Sequence, residues 1–148
     1  MSDRPRVVVA VGFPGSGKSS YFARIGAHPI SSDAIRLQLA DDETVQTVND
    51  RVFAAVRYLL RQRIELQRPV TYIDATSLTR RDRRPFIDIA RQSGCATEAL
   101  WFDVPLEICK LRNATRGREV PGHVMDLMAA KFVPPSREEG FDKVTILP

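Results

Sequence analysis

The stretch GFPGSGKS at residues 12–19 decides the fold of this 148-residue chain. It fits the pattern G-x-x-x-x-G-K-[ST], and it stands after a β-branched run (Arg6–Val11) and before a predicted helix. Glycines let backbone N–H groups converge on phosphate oxygens, and the helix N-terminus adds a partial positive charge. Lys18 can then reach the β- and γ-phosphates, while the Ser19 hydroxyl can bind Mg²⁺. We therefore expect ATP and Mg²⁺ at Gly12, Gly15, Ser16, Gly17, Lys18, Ser19 and Ser20, with Ser19 as the metal ligand.

Predicted strands and helices alternate along the rest of the chain. The predicted strands are 6–11, 70–73, 97–102 and 144–147, with 29–31 as a weaker fifth. Predicted helices follow the glycine-rich loop, start near residues 33 and 105, and span about 48–67, 79–93 and 122–132. Alternation predicts an α/β, doubly wound parallel sheet of about five strands, a P-loop NTPase or kinase fold with a helical lid. The length suits one domain over residues 1–148.

Composition excludes several classes of protein. Hydrophobic residues make up 43% and charged ones 27%, with no apolar run long enough to cross a bilayer and no signal peptide, so we expect a cytoplasmic protein. Cys95 and Cys109 lack metal-ligand spacing and are expected to be buried apolar residues. The net charge of +4 suits either a polyanionic partner or ATP alone. The arginines at 80, 81, 83 and 84 are interpreted as a solvated helix start, and the alternative is that they bind a nucleic acid.

A candidate acceptor site follows the weak second strand. Asp33 would face the pocket beside the P-loop, where it could accept a hydroxyl proton as that oxygen attacks phosphorus. Arg36 would lie one helical turn away. The alternative is that Asp33 only caps the following helix.

Two further segments carry charge near the predicted nucleotide. Arg112 and Arg116 share a helix face and favour a lid over the triphosphate, although they could merely satisfy a helix C-terminus. Asp74 ends an apolar strand at the functional edge of the sheet. It could hold a magnesium-bound water, orient an acceptor-side arginine, or cap a turn.

Taken together, these segments resemble the kinase module of phage and bacterial polynucleotide 5′-hydroxyl kinases over nearly the whole chain. The features that carry the resemblance are the loop at 12–19, Ser32-Asp33-x-x-Arg36, the stretches 41–43 and 46–48, Asp74-x-Thr76, the helix with Asp103-x-Pro105-x-x-x-Cys109-x-x-Arg112-Asn113, and Arg116.

The resemblance implies a role for each site residue. Asp33 would be the general base on a 5′-hydroxyl, Arg36 would contact the terminal nucleotide, and Asp74 would support that pocket. Lid residues Arg112 and Arg116 would hold the ATP phosphates, with Lys18 and Arg116 counted with Asp33 as catalytic, and Val124 would pack against the terminal base. The sequence departs from the family at Ser77, where asparagine often follows Asp-x-Thr.

The expected function is thus an ATP-dependent polynucleotide 5′-hydroxyl kinase whose acceptor is a DNA or RNA end. Nothing in the sequence indicates a protein partner or a membrane. One rival is a small-molecule kinase acting on a sugar, an antibiotic or a mononucleotide, which would differ at Arg36 and residues 41–48. The other is a nucleotide-binding switch without catalysis, and a candidate base together with two lid arginines counts against it.

Arg116→Ala should slow phosphoryl transfer by about 10³, because a cation of this kind neutralises charge that develops on the transferred group. The measurement is the initial rate with γ-labelled ATP at saturating acceptor. A change of only a few-fold would return Arg116 to the helix-cap interpretation.

Overall fold

The computed structural model describes residues 4–115 and 120–148. Within those residues, five parallel strands form one sheet in the order β2-β3-β1-β4-β5. The strands are β1 (Arg6–Val11), β2 (Ile30–Ser31), β3 (Val70–Asp74), β4 (Ala96–Phe102) and β5 (Lys143–Leu147). The predicted α/β fold with about five parallel strands is confirmed, including the short strand near residue 30.

Six α-helices connect and flank these strands in the described part of the chain. They are α1 (Lys18–Arg24), α2 (Ser32–Ala40), α3 (Asn49–Glu65), α4 (Arg80–Gln92), α5 (Leu106–Ala114) and α6 (Gly122–Lys131), with a 3₁₀ turn at Arg137–Glu139. None of the helices in the described residues is long and apolar enough to span a membrane.

Strand β1 lies in the middle of the sheet and is buried on both faces. Val7, Val9 and Val11 pack with the apolar faces of α3 and α4, whereas Val8 and Ala10 pack against Phe22 of α1. Burial on two faces explains why this strand reads as an unbroken apolar run. Because β1 is central, the P-loop that follows it lies at the middle of the carboxyl edge of the sheet.

One arginine of the cluster at residues 80–84 corrects the sequence-based interpretation. Arg83 is not solvated: its side chain is fully buried and makes a bidentate ion pair with the equally buried Glu139, at 2.8 and 3.1 Å. Its third nitrogen donates to the carbonyls of Ser77 and Val133, both at 2.9 Å. Every part of the guanidinium is therefore satisfied without water.

The spacing of α4 explains the burial of Arg83. Residues 83, 86, 87 and 90 recur at helical periodicity, and the last three are apolar and buried against the sheet. Arg83 continues that stripe toward the 3₁₀ turn, where Glu139 meets it. The 3₁₀ turn at Arg137–Glu139 supplies the carboxylate that anchors α4.

Glu139→Gln should lower the free energy of unfolding by about 3–5 kcal/mol, because it leaves the buried Arg83 cation without its counter-charge. Urea unfolding followed by circular dichroism measures the loss. Glu138→Gln, one residue earlier and exposed, is the matched control and should change stability by no more than about 0.5 kcal/mol. Equal midpoints for the two variants would contradict the buried-pair account.

Candidate active site

The P-loop joins β1 to α1 through a left-handed backbone. Gly15 and Gly17 have φ of +86° and +98°, values that glycine adopts readily and other residues rarely do. The buried Lys18 opens α1, and its Nζ donates to the carbonyl oxygens of Gly12 at 2.8 Å and Phe13 at 3.1 Å. Residues 14, 15 and 17–20 line a cleft of about 1200 Å³.

The P-loop packs closely against α5. A Cβ on Gly15 would overlap the carbonyl oxygen of Cys109, so the two backbones are in contact. The Cys109 side chain is fully buried with Val104 and Met125, and burial raises the pKa of its thiol. Cys95 is buried as well, so the prediction for both cysteines is confirmed.

Ser19 and Asp74 meet at the mouth of the loop. The Ser19 hydroxyl donates to Asp74 Oδ2 at 3.1 Å, and Asp74 is 8% exposed at the end of β3. A hydroxyl beside a carboxylate is a donor set that fits Mg²⁺, which takes one or two protein oxygens and completes its shell with water and phosphate. Asp74 thus contacts the P-loop serine and also lines the cleft that holds Asp33 and Arg36, so its role on the metal side or the acceptor side stays a prediction.

A chain of hydrogen bonds forms the opposite wall. Arg36 donates to Asp33 Oδ1 and to Asn49 Oδ1, both at 2.8 Å, and Asn49 in turn donates to Gln46 at 3.1 Å. Arg36 is 5% exposed, whereas the Asp33 side chain is 49% exposed. The wall therefore holds a buried cation behind an accessible carboxylate.

The helix-cap interpretation of Asp33 is wrong, because Ser31 has that role. Its hydroxyl accepts a hydrogen bond from the Ala34 amide at 3.2 Å. Asp33 lies in the first turn of α2 and is left to pair with Arg36. Ser31 also lies opposite Asp74 in the β2–β3 register, which brings the two walls of the cleft together.

Helices α5 and α6 cover the P-loop side of the cleft, as the predicted lid should. Lys110 of α5 donates to Asp126 of α6 at 2.6 Å, a bond that raises the pKa of Lys110. Arg112 lies 3.5 Å from the Gly15 carbonyl and lines the cleft, as does the half-buried Val124. Arg116, the other predicted lid cation, lies outside the described residues.

Ser77 stands in a left-handed conformation with φ of +51°, and its buried hydroxyl has no hydrogen-bond partner in the described structure. Asparagine tolerates this region better than most residues. The departure from the family pattern at Ser77 therefore falls where the backbone would favour asparagine.

Sequence reasoning missed several residues that line the cleft. Asn49 was assigned only to a helix start, although it orders Arg36. The others include Phe53 and Arg57 of α3 and Lys131 of α6, and Arg81 of α4, which belongs to the basic cluster noted in the sequence, lines the cleft as well. Helical spacing from Asn49 could have identified Phe53 and Arg57, because residues 49, 53 and 57 share one face.

Comparison with known proteins places this geometry in a family. The AAA_33 family, described as an AAA domain, matches residues 7–135. The chain belongs to the AAA_33 family. Its strand order, P-loop and lid are those of the P-loop kinase fold.

Individual relatives are distant in sequence. An L-seryl-tRNA(Sec) kinase of Methanococcus maripaludis is 22% identical over 143 residues, which is 92% of this chain but only 56% of the relative. A chain of the Pnkp1/Rnl/Hen1 RNA repair complex superposes with a TM-score of 0.73 at 19% identity, over 88% of this chain and 45% of that one. A gluconokinase from Sinorhizobium meliloti 1021 gives 0.63 at 20%, over 99% and 83%. The chain thus spans about half the length of the curated relative it matches.

Gly15→Ala should abolish nucleotide binding, because the new methyl group must displace the backbone of either the P-loop or Cys109. Gly26→Ala is the matched control: Gly26 also has a positive φ, of +71°, but its Cβ would meet open space. Fluorescence titration with a labelled ATP analogue measures both. Similar affinity in the two variants would show that the close contact between Gly15 and Cys109 is not needed for nucleotide binding.

Proposed function

We propose that this chain is an ATP-dependent kinase that transfers the γ-phosphoryl group of ATP to the 5′-hydroxyl end of a polynucleotide. The observation that carries the proposal is the pairing of Asp33 with Arg36 on the wall opposite the P-loop. The Asp33 carboxylate can accept a proton, and the Arg36 guanidinium can bind an anion. A nucleotide end that carries both a reacting hydroxyl and a nearby phosphate needs one group of each kind.

The reaction can be written with named atoms. The 5′-hydroxyl oxygen attacks the γ-phosphorus, the bond from that phosphorus to the β–γ bridging oxygen breaks, and ADP leaves. Asp33 takes the hydroxyl proton. Its Oδ1 is held by Arg36, so the carboxylate is oriented before the acceptor arrives.

On the donor side, the residues mainly stabilise charge. The P-loop, the start of α1 and the side chains of Lys18 and Arg112 line the same cleft, where their amides and positive charges would face the phosphates of a bound nucleotide. Arg116 would complete this set from the lid. Ser19 and Asp74 are the residues that would hold Mg²⁺, and a bound ion would supply further neutralisation of the phosphate charge.

The size of the cleft supports two substrates. Pockets for a single small molecule have volumes of roughly 300–1,000 Å³, and this cleft is larger, at about 1200 Å³. Its lining includes residues of α3, α4 and α6 in addition to Asp33 and the P-loop. A large cleft lined by several helices leaves room for an acceptor bigger than a compact metabolite.

A small-molecule acceptor is the second candidate, since a gluconokinase shares this fold over nearly the whole chain. Incubation with γ-labelled ATP decides between them, with 5′-hydroxyl DNA and RNA oligonucleotides, mononucleotides and sugars as acceptors. Label on oligonucleotides alone supports the proposal, and label on a sugar alone overturns it.

Asp33→Asn should slow transfer by roughly 10² to 10⁴ while leaving ATP affinity unchanged, because a positioned base contributes about that much. Asparagine keeps the shape and can still accept a hydrogen bond from Arg36. Single-turnover rates and ATP titration separate the two effects. Asp88→Asn, an exposed position on α4 away from the cleft, is the charge-matched control and should keep the wild-type rate. Weakened ATP binding with intact transfer would place Asp33 on the donor side.

A further inference from the structure

Three basic side chains line the outer part of the cleft. They come from three helices: Arg57 from α3, Arg81 from α4 and Lys131 from α6. We call them the basic rim. Among the residues that the structure describes, none of the three takes part in an ion pair or a side-chain hydrogen bond.

Each helix turns one continuous face to this cleft. On α3 the face runs from Asn49 through Phe53 to Arg57, and on α6 it runs from Val124 through Met128 to Lys131. The eight steps from Asn49 to Arg57 cover about 12 Å along the helix, and the seven steps from Val124 to Lys131 cover about 10 Å. Arg57 and Lys131 therefore lie about 10–12 Å along their helices from Asn49 and Val124. Asn49 is the residue that holds Arg36.

The start of α4 and the end of α6 are joined, which places two rim residues on neighbouring backbone. The Val133 amide donates to the Leu78 carbonyl at 2.9 Å, and the buried Arg83 donates to the Val133 carbonyl. Lys131 stands two residues before Val133, and Arg81 stands three residues after Leu78. The two cations thus belong to one rigid corner of the fold.

Arg81 stands where local structure disfavours a cation. It lies in the first turn of α4, near the positive end of the helix dipole, where acidic residues are stabilising. The acidic residue of that turn, Asp82, is engaged in a capping box with Thr79. Arg81 and the helix start therefore add to the same positive potential at the cleft.

We infer that the basic rim is a second anion site, which binds backbone phosphates of the acceptor strand beyond the terminal nucleotide. The inference rests on the proposed function. Cations with no protein partner can release counterions from a polyanion without first breaking an ion pair. Phe53 of α3 and Met128 of α6 also line the cleft, and each lies between the two ends of its helix face, where it supplies apolar surface. A one-nucleotide acceptor would reach Asp33 and Arg36 but not the rim.

The test is a length series of 5′-hydroxyl acceptors from one to six nucleotides, assayed with γ-labelled ATP at several salt concentrations. The rim variant is Arg57→Gln/Arg81→Gln/Lys131→Gln. The control variant is Arg51→Gln/Arg68→Gln/Lys143→Gln, which removes the same charge from exposed positions outside the cleft. Thermal unfolding by circular dichroism verifies that both variants are folded.

We expect KM to fall with acceptor length in the wild type and in the control variant. In the rim variant the KM of the longer acceptors should rise roughly 10-fold. The slope of log KM against log salt concentration should be smaller by about 2, because each of the three lost phosphate contacts contributes about 0.7 to that slope. The KM of the one-nucleotide acceptor and that of ATP should stay unchanged.

Two results would overturn the inference in distinguishable ways. If oligonucleotides are phosphorylated but the rim and control variants behave alike, the kinase proposal stands and the rim has no role. If no oligonucleotide gains label while a sugar does, the proposed function fails and the rim inference fails with it.

Discussion

The site depends on β1, the strand that is buried on both faces in the middle of the sheet. Its position sends the chain directly from the core into the P-loop, so the phosphate-binding glycines leave the sheet at its centre. Neighbouring strands then deliver the other groups to the same edge. β3 ends at Asp74 and β2 ends one residue before α2, which carries Asp33 and Arg36. Parallel strands bring their carboxyl ends to one edge, so the P-loop, Asp74 and the start of α2 converge there.

The buried Arg83–Glu139 pair has a different kind of importance. Its hydrogen bonds reach the carbonyls of Ser77 and Val133, and thereby join the segment after β3, the start of α4 and the end of α6. Replacing such a pair by apolar groups can be neutral for stability, but removing one partner is not. A fully satisfied pair at this corner fixes the relative position of three segments that line the cleft. The geometry of this corner of the cleft therefore depends on a buried ion pair.

The parts of the fold that could be predicted are those with a local cause. The P-loop pattern, the apolar run of β1 and the helix predicted over about residues 48–67 each follow from short-range chemistry, and the structure contains all of them. The burial of Arg83 could not be predicted, because its partner Glu139 lies 56 positions away and no sequence pattern near Arg83 indicates that contact. Ser31 and Asp33 show the same limit on a smaller scale. Both can cap α2, and only the backbone geometry selects Ser31 and leaves Asp33 for Arg36.

The cations that line the cleft are of two kinds: some are hydrogen-bonded to protein groups, and others have no side-chain partner among the described residues. Lys18 is tied to loop carbonyls and Arg36 to a carboxylate and an amide, so both are fixed before a substrate arrives. Groups fixed in advance lose little entropy when charge develops, which suits residues that act on the reacting phosphoryl group or on its acceptor. Of the rim cations, Arg81 and Lys131 are exposed and Arg57 is half-buried, and among the described residues no side chain holds any of the three. Cations of this kind attract a polyanion at long range and tolerate variation along its backbone. For the proposed polynucleotide acceptor, the ordered cations would place the end of the strand, and the rim cations would bind the rest of it without fixing one geometry.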